Sequence, residues 1–275
     1  MYRITKVLNH NAVIAVSDGT NEYLIMGKGI GFGKKISEKI VTSDTDTVYS
    51  LTSEGERGSA AELARQTDPD CLEISNFILN KAMEKFGKVN RDVLFPLADH
   101  IQFALERMKK NERLTNTFND DIRIIYCEEY AVAETCRELV RELKELEMTD
   151  DEIGYIALHI HSAIQNENVS QAMMAAQMVR ECVDAIKKKT GCKTEVTSLD
   201  YNRLVNHIRY MVIRMQNGEK LKLNMNEYMS IKYPETFAIA NDVCEQMSKV
   251  MKLPFDSAET GYLAMHIERV AGADI

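Results

Sequence analysis

The segment DEIGYIALHI (151–160) recurs later in the chain as AETGYLAMHI (258–267), sharing Glu, Gly, Tyr, Ala, His and Ile at equivalent positions. At the same offset and without a gap, LADHIQFALERMKKNE (97–112) aligns with LVNHIRYMVIRMQNGE (204–219). Apolar residues in both pairs recur at spacings of three and four, which is the periodicity of an amphipathic helix. This repeat predicts two homologous all-α modules, each folded as a helical bundle.

The N-terminal part of the chain, 1–56, follows a different pattern, with short runs rich in Val, Ile, Tyr and Thr. Asn9-His10-Asn11 and Asp18-Gly19 are good turn formers between these runs, so this part predicts an antiparallel β-meander. A sheet of about 50 residues buries too little surface to be stable alone, and we expect it to pair with the sheet of a second copy. The strands are expected at residues 2–8, 12–17 and 20–26 and around 47–51.

These patterns together predict a multidomain protein, with a small antiparallel β-sheet domain followed by two homologous all-α helical-bundle domains. Polar stretches at 53–59 and 165–171 indicate the boundaries. The predicted division is a β domain at 1–56, a linker at 57–70, a first helical domain at 71–168 and a second at 169–275.

The net charge of −8 is unevenly distributed along the 275 residues. Residues 1–40 contain six Lys or Arg and three Asp or Glu, a balance of +3, which leaves −11 for the remainder. A polyanion could therefore bind the β domain while the helical body repels it. No run approaches the roughly 20 apolar residues of a membrane helix, and the six cysteines lack the spacing of a zinc site. We expect a cytoplasmic protein with reduced thiols and no metal.

Four of the six histidines fall at repeated positions, one early and one late in each helical module. Such a histidine is most often a structural polar group, and metal binding is disfavoured because HxxxH and HExxH arrangements are absent. Phosphoryl acceptance by a neutral imidazole is a third interpretation. Arg107 and Arg214 lie two helical turns after the early histidines and could hold a phosphate. The repeated histidines are His100 and His159 in the first module and His207 and His266 in the second.

The glycine-rich segment MGKGIGFGKK (26–35) does not have the spacing of a nucleotide-binding loop. A GxGxxG motif would need glycine where Phe32 stands, and a Walker loop would need Ser or Thr where Lys35 stands. Its glycines allow a close backbone approach, Phe32 offers a stacking face and its lysines can meet phosphates, so the segment suits an RNA-binding surface. A flexible hairpin connection is an equally good interpretation of the composition.

These motifs resemble the BglG/SacY family of transcriptional antiterminators over essentially the whole chain. KVLNHNAV (6–13) and MGKGIGFGKK resemble the family's N-terminal RNA-binding (co-antiterminator) domain, and the histidine segments resemble its two PTS regulation domains, called PRDs. The resemblance implies a homodimer whose β domains bind a leader-mRNA hairpin, so that the overlapping terminator cannot form. It implies no enzymatic activity and no cofactor. A PRD-containing DNA-binding activator is the alternative, but it would need a helix-turn-helix where strands are predicted here.

The resemblance also implies the functional residues. Phosphorylation is expected at His100, His159, His207 and His266. In the family a sugar-specific enzyme II commonly phosphorylates the first module to inactivate, and the phosphocarrier HPr phosphorylates the second to activate. Two positions depart from the family pattern: His10 stands where Asn is frequent, and Lys28 where Arg is frequent. The implied RNA contacts are Lys6, Asn9, Asn11, Gly27, Lys28 and Phe32.

Overall fold

The computed structural model describes residues 1–17, 21–51, 54–55, 58–112, 114–165, 168–191 and 198–271. The predicted turn at Asp18-Gly19, part of each polar boundary stretch and Cys192 lie outside this part of the chain. The chain divides into two compact units. One comprises Met1–Asn119 and Tyr126–Val169, and the other comprises Asp120–Ile125 and Ser170–Ile275.

The N-terminal domain is a five-stranded antiparallel sheet in the order β4-β1-β2-β3-β5. The predicted meander is confirmed, and β4, which has only two residues, is the strand of this sheet that the sequence did not predict. The sheet core is formed by apolar side chains of alternating positions, including Ile4, Val13 and Ile25. The strands are β1 (Tyr2–Asn9), β2 (Ala12–Val16), β3 (Glu22–Met26), β4 (Lys39–Ile40) and β5 (Thr47–Ser50), and a separate two-stranded pair is formed by β6 (Glu54–Gly55) and β7 (Gly58–Ser59).

The first helical module begins with a short helix inside the segment predicted as a linker. The following helix starts at Pro69, where Asp68 caps it by accepting a hydrogen bond from the Asp70 N–H at 2.9 Å. It ends at Gly87 in a left-handed conformation. The helices are α1 (Ala60–Gln66), α2 (Pro69–Phe86), α3 (Leu94–Lys109), α4 (Asn119–Ile125), α5 (Cys127–Glu134), α6 (Cys136–Lys144) and α7 (Asp150–Gln165), with a 3-10 turn at Arg91–Val93.

The second helical module repeats this layout. Its early-histidine helix is capped by the hydroxyl of Ser198 and ends at Gly218 in a left-handed conformation. The late-histidine helix packs against it and against the helix that precedes it in the chain. The helices are α8 (Val169–Thr190), α9 (Leu199–Asn217), α10 (Asn226–Lys232), α11 (Pro234–Met251) and α12 (Ala258–Ala271). The predicted fold class, a small sheet followed by a helical body, is confirmed.

The glycine shared by the two late-histidine segments permits a close approach to the helix backbone. A Cβ on Gly154 would lie 2.1 Å from Oδ1 of Asn119, and one on Gly261 would lie 2.7 Å from Oδ1 of Asn226. The N–H of Gly261 donates to that same oxygen at 2.9 Å. The two asparagines stand at equivalent positions of the repeat, so the close approach is repeated. The hydrogen bond is not, because Asn119 Oδ1 has no hydrogen-bond partner among the described residues.

Among the helices in the described part of the chain, none combines the length and apolar character needed to cross a membrane. The five cysteines in that part are unpaired thiols, and all but Cys127 are buried.

Candidate functional site

The structure brings the two histidines of the first module together across two helices. His100 on α3 and His159 on α7 have ring centroids 5.3 Å apart, at an interplanar angle of 40°. Tyr155, one turn before His159, places its ring 5.6 Å from that of His100. The early and the late histidine of the first module therefore form one site.

A buried ion pair lies beside His100. Arg107 donates through Nη2 to both oxygens of Glu152, at 2.8 and 3.1 Å, and Nε2 of His100 lies 3.3 Å from Glu152 Oε2. The Glu152 side chain is 2% exposed. Burial alone would raise the pKa of Glu152, but its contact with His100 and its ion pair with Arg107 outweigh burial and hold that pKa below its usual value.

The second module has the same constellation, with its two histidine rings closer together. The rings of His207 on α9 and His266 on α12 are stacked, with centroids 4.5 Å apart and an angle of 24°. Arg214 donates to Glu259 through Nε at 2.6 Å and through Nη2 at 2.8 Å, a bidentate pair. Nε2 of His207 lies 3.8 Å from the nearer Glu259 oxygen.

The second-module histidines are held in the uncharged form. Burial lowers the pKa of His207 to about 3, and the neighbouring His266 and Arg214 act in the same direction. Burial, with Arg269 and Arg203, also lowers the pKa of His266. A neutral imidazole nitrogen keeps the lone pair that a nucleophile needs.

The carboxylates of these sites were missed from sequence. The sequence indicated that Arg107 and Arg214 could hold a phosphate, and in the structure each arginine binds a glutamate from the late-histidine helix. Glu152 and Glu259 are the shared Glu of the repeated segments, at the same distance before the late histidine in both. That repeated spacing was the available signal. In the described residues, no group of three or more His, Cys, Asp or Glu side chains could hold a metal ion.

The modules differ at a second buried contact. His161, on the opposite side of α7 from His159, is 1% exposed, and its Nδ1 lies 2.8 Å from Glu129 Oε1. The equivalent positions in the second module are Glu268 and Thr236, and the Thr236 hydroxyl donates to Glu268 at 3.1 Å. The acid of this contact therefore lies on α5 in the first module and on α12 in the second, and the second module has no histidine there.

The predicted RNA-contacting asparagines lie at the β1–β2 turn. The Asn11 N–H donates to Asn9 Oδ1 at 2.9 Å, and the Gly29 N–H donates to Asn11 Oδ1 at 2.8 Å. These two bonds fix both amide oxygens toward the backbone, so the NH₂ groups point away from the turn. We call Asn9 and Asn11 the turn amides.

The other predicted RNA contacts lie on the same domain. Phe32 is 68% exposed and makes an edge contact with His10 at 5.2 Å between ring centroids. Lys6 and Lys28 are exposed. Gly27 has a structural explanation of its own, because a Cβ there would lie 1.7 Å from Asp46 Oδ1.

Helix α2 contacts the turn amides. Nδ2 of Asn11 donates to Glu73 Oε1 at 2.7 Å, and Nδ2 of Asn9 donates to Glu73 Oε2 at 3.1 Å. Nδ2 of Asn9 also lies 3.4 Å from Asp70 Oδ1. Sequence reasoning did not find these acidic partners, which lie far from the turn along the chain.

Two family models match the chain. The PRD domain matches residues 73–163 and again 180–270, and the CAT RNA binding domain matches residues 2–58. The two PRD matches start at positions 73 and 180, the same offset that relates position 151 to position 258, which confirms the repeat read from the sequence.

Named relatives match over nearly their full length. Protein GlcT of Staphylococcus saprophyticus is 30% identical over 274 residues, covering 97% of this chain and 96% of that protein. The glcA/glcB genes antiterminator of Staphylococcus carnosus is 28% identical, covering 97% and 94%. The crystal structure of GlcT CAT-PRDI is similar at a TM-score of 0.50 and 33% identity, covering 60% of this chain and 99% of that one.

Proposed function

The chain belongs to the BglG/SacY-type family of transcriptional antiterminators with a CAT RNA-binding domain and two PRD domains, and we propose that it binds a leader-mRNA hairpin and prevents terminator formation. The family is regulatory rather than enzymatic. The observation that carries the RNA proposal is the group of turn amides, exposed Phe32 and exposed Lys28 on one domain. Amide and ammonium donors suit phosphates and base edges, and an exposed ring suits stacking of an unpaired base.

We infer that the protein works in the cytoplasm as a homodimer paired through its sheets, since a sheet of this size gains a larger core by pairing. HPr and a sugar-specific enzyme II are the proposed phosphate donors, and the PRD histidines are the acceptors. The family's pattern, with phosphorylation inactivating through the first PRD and activating through the second, is the hypothesis for this chain.

The paired histidines support the acceptor role. A neutral imidazole nitrogen attacks the phosphorus of the donor's phosphorylated side chain, so an N–P bond forms as the donor's bond to phosphorus breaks and the donor leaves with that electron pair. Arg107 pairs with Glu152 beside His100, and Arg214 pairs with Glu259 beside His207. These arginines are the cations proposed to bind the new phosphate.

Phosphate binding by these arginines would disturb the fold locally. Glu152 and Glu259 are almost fully buried, and each relies on its arginine for compensation. An arginine that turns to a phosphoryl group leaves a buried carboxylate unpaired, which is strongly unfavourable. The late-histidine helix must then shift, and this couples phosphorylation to the packing of the module.

RNA binding is tested by titrating the full chain with a hairpin from the leader of the neighbouring sugar-transport genes. Phe32→Ala removes a stacking platform and should weaken binding about tenfold or more. Phe103→Ala is the matched control, because Phe103 is also an exposed aromatic but lies on α3. Equal binding of the hairpin and its duplex DNA equivalent would instead favour a DNA-binding activator.

Phosphorylation is tested by incubating the chain with phosphorylated HPr and with the enzyme II, and then measuring incorporation by mass spectrometry. Alanine at each of the four paired histidines should remove incorporation at that site alone. His161→Gln is the control, because His161 is buried on the other side of α7. Full incorporation in a variant lacking all four histidines would disprove the acceptor assignment.

A further inference from the structure

We propose that the first PRD closes the RNA-binding surface of its own chain, with Glu73 on α2 occupying the turn amides in place of RNA. This inference rests on the proposed RNA-binding function. Its physical basis is competition, since the same amide hydrogens cannot serve a carboxylate and an RNA acceptor at once.

The geometry at Glu73 matches what an RNA phosphate would offer. One carboxylate presents two oxygens to two outward NH₂ groups, at 2.7 Å for Asn11 and 3.1 Å for Asn9. Charged acceptors make the stronger kind of hydrogen bond. Because the amide oxygens are bonded to the backbone, the groups that Glu73 engages are the ones aimed outward.

The contact belongs to a larger docking face on α2. Glu73, Asn76 and Asn80 lie at positions i, i+3 and i+7, on one face of the helix. The Tyr49 hydroxyl of β5 donates to Asn76 at 2.7 Å, and Arg91 binds both that hydroxyl and Asn80.

Charge at this face also opposes RNA. A cleft of about 350 Å³ is lined by Asn11, Gly27 and Lys28 of the sheet domain and by Glu73 and Asn76 of α2. Lys144 lies 2.7 Å from both Asp68 and Asp70, so it offsets one of the two negative charges at the start of α2. Glu73 projects its charge toward the turn amides and would repel a phosphate.

The second PRD shows that this face is not required by the PRD fold. The residues equivalent to Glu73, Asn76 and Asn80 are Arg180, Val183 and Lys187. Arg180 pairs within its own unit, with Asp121 at 3.5 Å and Asp184 at 3.8 Å. The acidic and amide face is therefore specific to the PRD that follows the sheet.

The test compares hairpin affinity of the full chain with that of Glu73→Gln and Glu73→Ala at one salt concentration. Only molecules with an open surface bind RNA, so the apparent Kd equals the intrinsic Kd divided by the open fraction. If about nine molecules in ten are closed, both variants should bind the hairpin with about a tenfold lower Kd than the unmodified chain. Glu84→Ala is the matched control, because Glu84 is an exposed acid of α2 that pairs with Lys81. Unchanged or weaker binding by both Glu73 variants would overturn the inference.

Two further measurements separate this inference from the proposed function. Replacing both turn amides with alanine should abolish hairpin binding if the RNA assignment is correct, whatever Glu73 does. Hydrogen exchange at the Asn11 and Gly29 amides should accelerate in Glu73→Ala and not in Glu84→Ala, without any RNA present. Unchanged exchange in a folded Glu73→Ala protein would refute closure. Faster exchange, together with no hairpin binding by any variant, would refute the RNA assignment and the inference with it.

Discussion

The two histidine sites contain the same types of residue, but the first is more open than the second. The ring centroids are 5.3 Å apart in the first PRD and 4.5 Å in the second, and the early histidine is 16% exposed against 10%. In the first site the early histidine lies within 3.3 Å of the carboxylate, and in the second at 3.8 Å. A duplicated constellation can thus hold its histidines with different access to solvent and to charge. We therefore expect substitution and pH to change the free energy of unfolding differently through the two sites.

The largest expected difference concerns the buried ion pairs. Arg214→Met leaves Glu259 buried and unpaired, which should lower the free energy of unfolding by about 3 to 5 kcal/mol. Arg107→Met should cost less, because Arg107 is more exposed and His100 remains 3.3 Å from Glu152. Urea denaturation of the full chain measures both. The double variant Arg214→Met with Glu259→Gln should recover most of the loss, and equal losses for the two arginine variants would remove the distinction between the sites.

Acid should destabilise the protein through the second site. His207 has a pKa of about 3 when folded and takes up a proton near pH 6.5 when unfolded. The unfolded state therefore binds more protons as the pH falls below 6.5, and stability declines until the folded group titrates near pH 3. Between pH 8 and pH 5 this amounts to roughly 2 kcal/mol. In His207→Gln, thermal unfolding should show a correspondingly flatter pH dependence, and an unchanged slope would rule out His207 as the source.

A smaller effect is expected at the shared glycines. Gly261→Ala would bring its Cβ within 3 Å of the backbone at Met225 and Asn226, and overpacking of this kind costs about 1 to 3 kcal/mol. The nearest atom for Gly154→Ala is the Asn119 side-chain oxygen, which can rotate away, and alanine also favours the helix. Gly261→Ala should thus lower the melting temperature more than Gly154→Ala does. The reverse order would contradict the view that backbone crowding at Gly261 is costlier than side-chain crowding at Gly154.

The sequence predicted what depends on local periodicity and repetition. Strands β1, β2, β3 and β5, the helical body and the presence of an early and a late histidine in each module all follow from spacing along the chain. The two-residue β4 is too short to leave a pattern. The Arg107–Glu152 pair joins residues 45 positions apart, and Glu73 meets Asn11 across 62 positions. Such contacts depend on how the elements dock. The only signal for Glu152 was its repetition as Glu259, and Glu73 is not repeated at all.

At the β1–β2 turn, the inward amide oxygens give the surface a polarity of its own. Whatever replaces Glu73 there meets hydrogens from both Asn9 and Asn11, while the amide oxygens are already bonded to backbone N–H groups. An amino group of cytosine or adenine would place hydrogen against hydrogen, whereas guanine O6 or N7, a uracil carbonyl or a phosphate oxygen can accept. A ligand that replaces Glu73 would therefore have to present hydrogen-bond acceptors to these two NH₂ groups.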